Sequence, residues 1–262
     1  MTGALTFTVG DGCRIAYRFD GAAGKPVLVL SNSIGTGLAM WDGQIAALSA
    51  HFRVLRYDLR GHGGSDVPAG PYSMERLGRD VIELLDALGI ARAHFCGLSL
   101  GGMVGQWLGI HAPQRIERLI LCHTAPWLAP AEVMDERIAA VLRADRAETA
   151  AQFLGNWFPP RLLHSAAAEP FRAMLLAAAP QGIAGCLGAV RDMDFRGELA
   201  RIPKPVLVIA GRYDTVTLAS HSEQIAAAVP GAALLVLPAV HLSNIECPAA
   251  FLDAVLGFLL RQ

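Results

Sequence analysis

The sequence predicts an α/β fold: a mostly parallel central sheet, helices on both of its faces, and a small helical cap inserted over the carboxyl edge of the sheet. Three observations carry this. Short apolar runs alternate with helical patterns along most of the 262 residues. The alternation breaks once, over residues 128–196, which contain no convincing strand. And the segment Gly97-Leu98-Ser99-Leu100-Gly101 sits between an apolar run and a helical pattern, where open α/β sheets collect functional groups.

The elements follow in order. The stretch MTGALTFTVGDGCRIAYRF reads as two alternating strands that turn at Gly10-Asp11-Gly12. Val27–Leu30 and Phe52–Tyr57 are buried strand candidates. Over Met74–Leu88 the period changes to helical: Leu77, Val81, Leu84, Leu85 and Leu88 share one face, Ser73 is placed to cap the start and Gly89 to end it. A strand at 93–96, a helix from about 100 to 111 and a strand at 118–122 come next. Two more strands are expected at Pro205–Ala210 and Leu234–Leu237. Buried strands alternating with helices imply a sheet covered on both faces.

Residues 128–196 are rich in Ala, Leu and Arg, with Pro130, Pro159, Pro160, Pro170 and Pro180 as breaks. So many helices exceed an ordinary crossover. The expected organisation is therefore a core of residues 1–127 and 197–262 with a cap at 128–196; an ordinary helical layer of one domain is the alternative.

Bulk properties bound the function. Hydrophobic residues make up 53% and charged residues 17% of the chain, enough for a large core. A formal net charge of −1 gives no electrostatic reason to expect nucleic acid or an anionic membrane as partner. The N-terminus lacks a basic segment followed by an apolar one, and no apolar run is long enough to span a bilayer. Five scattered cysteines without a CxxC pair argue against a disulfide framework or zinc site and fit a reducing cytoplasm.

Gly97–Gly101 matches G-x-S-x-G in the required strand–turn–helix context. The turn is tight enough that a Cβ near the serine would strike backbone, and the following helix aims its N-terminal amides at Ser99. A serine hydroxyl needs a base. Asp214 follows the strand ending at Ala210, and His241 follows the strand ending at Leu237, giving the order serine, acid, histidine. Ser99, Asp214 and His241 are the expected nucleophile, orienting acid and general base. The alternatives are a helix N-cap for Asp214 and a loop histidine for His241. His123 also stands at a strand end, but it precedes Asp214 and is out of order.

An oxyanion needs amide donors. These are expected from Leu100 and from Ile34 in the loop LSNSIGTG. Ser33 either adds a hydroxyl near the pocket or ties up the loop backbone. Asp58 and Arg60, in DLRGHGGS, read as loop braces. Trp127 is either a pocket wall or a hinge residue. The cap arginines Arg137, Arg143, Arg146, Arg161, Arg172, Arg191 and Arg196 read mostly as a solvated face, one of which is available to a substrate carboxylate.

With these residues in view, the chain resembles the α/β-hydrolase superfamily over nearly its whole length, through the elbow, DLRGHGGSD, GRYDTVT and HLSNIECPAAF. Within it, LSNSIGTGLAMWDGQ, YDLRGHGGSDVPAGPYSMERLGRDV, CGLSLGGMVGQWLG and LPAVHLSNIECP are similar to the 3-oxoadipate enol-lactonases. Asn32-Ser33 stands where many other α/β-hydrolases carry His-Gly. The resemblance implies hydrolysis of a small lactone, 3-oxoadipate enol-lactone, in the β-ketoadipate route of aromatic catabolism, with no metal or organic cofactor. A carboxylesterase, a carbon–carbon bond hydrolase of ring-fission products and a cofactor-free perhydrolase use the same triad. A non-catalytic ligand-binding protein on the same fold is the alternative from another class. Oligomeric state is left open.

Overall fold

The computed structural model describes residues 4–261. Eight strands form one sheet: β1 (Leu5–Thr8), β2 (Arg14–Asp20), β3 (Val27–Ser31), β4 (Arg53–Tyr57), β5 (Ala93–Leu98), β6 (Ile116–Cys122), β7 (Val206–Gly211) and β8 (Ala233–Leu237). Their spatial order is β1-β2-β4-β3-β5-β6-β7-β8. β1 and β2 form the expected hairpin, β2 runs antiparallel to β4, and every later pairing is parallel.

The core helices are α1 (Asp42–Ser49), α2 (Met74–Ala87) and α3 (Leu100–His111). The Ser73 hydroxyl accepts from the Arg76 amide at 3.1 Å at the start of α2, and Gly89 takes φ 65° just past its end, as the capping pattern predicts. Residues 128–196 supply α4 (Ala131–Arg143), α5 (Arg146–Trp157), α6 (Glu169–Ala177) and α7 (Pro180–Asp192), and no strand. An Asp145–Glu148 capping box opens α5. The chain closes with α8 (Ala219–Ala228), the short α9 (Ser243–Glu246) and α10 (Pro248–Leu259).

Strand residues alternate between two cores. Val29, Leu55, Phe95, Leu119 and Val208 face one side, with α2, α3 and α8 residues such as Val81, Val104 and Ile225. Leu28, Val54, Cys96, Ile120 and Ile209 face the other, with Leu48, Phe251 and Val255 from α1 and α10. Both faces are thus dry, which explains strands that read as continuous apolar runs. The α4–α7 pair extends the first core and the α5–α6 pair the second. Among the described residues no single helix is long and apolar enough to cross a membrane.

Register fixes where functional groups emerge. Ser31 pairs with Gly97, Leu98 with Cys122, Cys122 with Ile209, and Gly211 with Leu237. The loops that follow β3, β5, β6, β7 and β8 therefore leave the sheet along one carboxyl edge.

Candidate active site

Ser99 sits between β5 and α3 at φ 57° and ψ −116°, a left-handed conformation that side chains rarely adopt. Its amide donates to the Cys122 carbonyl at 2.9 Å, and its carbonyl accepts from the Thr124 hydroxyl at 2.9 Å. The glycines have the role the sequence assigned them. A Cβ on Gly97 would lie 2.1 Å from the Gly101 carbonyl oxygen, and one on Gly101 would lie 2.3 Å from that of Ser31. The strand, the loop after β3 and the helix start are packed too closely for any side chain there.

Asp214 and His241 come together beneath Ser99's cavity. His241 Nδ1 lies 2.8 Å from Asp214 Oδ2. A carboxylate only accepts, so Nδ1 carries the proton of this hydrogen bond. Nε2 is buried and has no protein partner among the described residues. Asp214 is not a helix N-cap: Leu218 precedes α8, while Asp214 Oδ1 accepts from the amides of Val216 and Thr217 at 2.8 and 3.0 Å. Oδ2 also accepts from the Thr217 hydroxyl at 3.0 Å. Burial alone pushes this carboxyl up, but the charge of His241 and hydrogen bonds from His123 and His241 outweigh it and hold Asp214 well below the usual carboxylate range.

His123 is the group that sequence order set aside. It follows β6 at φ 46° and is fully buried. Its Nδ1 donates to the same Asp214 oxygen at 3.1 Å, and its Nε2 accepts from the Ser243 hydroxyl at 2.7 Å. Burial lowers its pKa despite the neighbouring carboxylate, so the ring is neutral. The ligand atoms of His123, Asp214 and His241 lie within 4.8 Å of one another, the spacing of a metal site. Both rings already spend their Nδ1 protons on the carboxylate, so a metal there would displace two hydrogen bonds.

The loop after β3 supplies the opposite wall. The amides of Ile34 and Leu100 donate to no protein acceptor among the described residues, whereas the Gly35 amide donates to His62 Nε2 at 2.8 Å. Asn32, the departure from His-Gly, ties the loop in place. Its side chain donates to the Tyr57 carbonyl at 2.8 Å and accepts from Trp41 Nε1 at 2.9 Å; its carbonyl accepts from the Gly101 amide at 3.0 Å. The Ser33 carbonyl accepts from the Thr36 amide and hydroxyl, while its own buried hydroxyl has no partner among the described residues and lies outside the cavity lining. Asp58 and Arg60 brace, as expected: Asp58 accepts from the Leu38 and Gly64 amides at 2.6 and 2.8 Å, and Arg60 pairs with Asp80 and Asp11.

A cavity of about 470 Å³ lies between this edge and α4, α5 and α7. Ser99, His241, Ile34 and Leu100 line its floor, and Trp157 and Arg137 stand in the wall from residues 128–196. Trp127 does not line it. The neighbouring Leu128 does, and the Trp127 ring instead carries the Arg196 guanidinium 4.4 Å from its centroid. Phe153 and Trp157, aromatics that do line it, were hidden in an unremarkable helical stretch.

Comparison with known proteins gives the family. A family model described as the alpha/beta hydrolase fold matches residues 26–248. The chain is 40% identical over 258 residues to 3-oxoadipate enol-lactonase 2 of Acinetobacter baylyi, covering 98% of this chain and 96% of the relative. The crystal structure of the enol-lactonase from Burkholderia xenovorans LB400 matches with a TM-score of 0.95 at 40% identity, over 98% of this chain and 100% of that one. A hydrolase from Pseudomonas aeruginosa matches with a TM-score of 0.97 at 64% identity, over 98% of both chains.

Proposed function

The chain belongs to the α/β-hydrolase family and groups with the 3-oxoadipate enol-lactonases, and from that premise we propose that it hydrolyses 3-oxoadipate enol-lactone through an acyl-enzyme on Ser99. One observation carries the reading. A serine on a strained elbow, a histidine ring nitrogen and two amides that have no partner among the described residues line one cavity, with a buried carboxylate behind the histidine.

In this reading, Ser99 Oγ attacks the ring carbonyl while His241 Nε2 takes its proton. The negative oxygen of the tetrahedral adduct rests on the amides of Ile34 and Leu100, at the positive end of α3. Collapse breaks the ring C–O bond. The enol oxygen leaves with the electron pair, assisted by the proton on His241, and the enol becomes a ketone. A ring-opened leaving group stays attached to the acyl chain, so one molecule occupies the cavity throughout. His241 then takes a proton from water, whose oxygen attacks the ester, and returns it to Ser99 as 3-oxoadipate is released. Asp214 holds His241 in the Nδ1–H tautomer and stabilises the imidazolium. Residues 128–196 act as a cap that walls the cavity, and the protein works in the cytoplasm.

Ultraviolet loss of 3-oxoadipate enol-lactone, generated from its precursors in the cuvette, tests the reading against p-nitrophenyl acetate hydrolysis. Fast lactone opening with weak ester cleavage supports it. Ester cleavage without lactone opening rejects the substrate and points to a carboxylesterase.

A further inference from the structure

The described methionines separate by exposure. Met40, Met74, Met103, Met134 and Met193 are at most 6% exposed. Met174, on α6, is half-buried and lines a second cavity of about 170 Å³. Residues 35–37 form one side of this cavity, His62 another and Met174 a third. Neither Ser99 nor His241 lines it, and Met174 does not line the larger cavity.

The sulfur has a partner in the loop after β3. The Gly37 amide donates to Met174 Sδ at 3.3 Å and to no other acceptor among the described residues. A thioether is a weak acceptor, so this contact is easily lost. α6 meets the same loop a second time: a Cβ on Gly35 would lie 2.8 Å from Leu175 Cδ2. From the other side, His62 Nε2 accepts from the Gly35 amide. The loop is thus held between His62 and α6, and its Ile34 amide is the one assigned above to the oxyanion.

We propose that Met174 is a modification site: hydrogen peroxide oxidises its thioether to the sulfoxide, which shifts the loop after β3 and slows hydrolysis. The sulfur lone pair attacks one peroxide oxygen. The S–O bond forms as the O–O bond breaks, and the departing hydroxide takes the proton from the new oxygen and leaves as water. Sulfur gives up two electrons and the peroxide gains them. The new oxygen has two directions open to it. Toward Gly37 it enters a gap of 3.3 Å that the N–H already fills, so the loop must retreat. Toward the cavity it leaves the Gly37 amide against an electron-poor sulfur, a worse acceptor than before. The modification stands on exposure and contact alone. Its effect on rate rests on the role of Ile34 proposed above.

Graded peroxide treatment, stopped with catalase, tests this through three readouts. Peptide mass spectrometry should find one added oxygen on Met174 well before the five buried methionines. Amide hydrogen exchange over residues 32–41 should quicken in the oxidised protein. Hydrolysis of 3-oxoadipate enol-lactone or p-nitrophenyl acetate should fall about tenfold in step with the oxidised fraction. Methionine sulfoxide reductase with a thiol should restore the rate, whereas thiol alone, which reverses sulfenic acid formation on the half-buried Cys247, should not. Met174→Leu, whatever its starting rate, should keep that rate through the same treatment. Oxidation of Met174 no faster than that of the buried methionines would overturn the proposal. So would unchanged exchange and rate in fully oxidised protein, or equal inactivation of Met174→Leu. If the wild type cleaves neither substrate, the proposed reaction fails, and mass spectrometry with hydrogen exchange alone decides the modification site.

Discussion

His123 Nδ1 meets Asp214 Oδ2 at 3.1 Å, the oxygen that His241 Nδ1 reaches at 2.8 Å. Two imidazoles share one buried carboxylate oxygen. His123 is anchored on its far side by Ser243, and it is a third donor to this oxygen beside Thr217 and His241. Replacing it by Leu removes a donor and leaves Asp214 under-satisfied. We expect His123→Leu to lower kcat by about tenfold with KM little changed. His123→Asn, whose amide nitrogen occupies the Nδ1 position, should recover most of that loss. Steady-state kinetics on the three proteins check this; equal damage in Leu and Asn would mean that the donor to Asp214 is irrelevant.

His62 acts on the other wall. Its Nε2 accepts from the Gly35 amide at 2.8 Å, beside the Ile34 amide proposed to bind the oxyanion. Only the neutral ring accepts there. Burial, slightly opposed by the Arg60 carbonyl, pushes its pKa down from 6.5 to about 4. The unfolded chain therefore takes up a proton between these values while the folded one does not, so stability falls as pH drops from 6.5 toward 4. The loss should reach roughly 3 kcal/mol at the acid end. Denaturant titrations from pH 4 to 7 should show a shallower fall in His62→Gln, which keeps an acceptor without titrating; an unchanged slope would remove His62 as the cause.

The elbow's geometry predicts a contrast between two glycines. Gly101→Ala places a Cβ 2.3 Å from the Ser31 carbonyl oxygen, where both partners are backbone. It should cost about 3 kcal/mol or more and displace the nucleophile. Gly155→Ala, in α5 with nothing within 4 Å, should instead raise stability by up to ~1 kcal/mol. Thermal unfolding of both variants distinguishes crowding from generic loss of a glycine.

Much of this was legible in the chain. α3 spans the residues its pattern predicts, and Ser99, Asp214 and His241 emerge on one edge because strand ends in a parallel sheet share it. His123 was not legible, because order along the chain orders the reacting groups and is silent about which side chains touch the acid. Its signal was its position: it follows β6 directly, beside β7, whose loop holds Asp214. The cavity wall was hidden for another reason. Val133, Glu136, Arg137 and Ala140 share a helical stripe, but a stripe reads as core or solvent face until the helix has something to face. Trp127 reads from the sequence equally as a pocket wall and as a hinge residue; its ring packs under Arg196 and does not line the cavity.

The central claim is that Ser99 opens the lactone ring. Its most direct test is the rate of 3-oxoadipate enol-lactone loss by wild type and Ser99→Ala at matched concentration, with both proteins shown to be folded. We expect the substitution to lower kcat by at least about ten-thousand-fold, leaving residual rate from the oxyanion donors and binding alone. Lactone opening that survives in Ser99→Ala at more than about a tenth of the wild-type rate would contradict the account, since no nucleophile of that mechanism would remain.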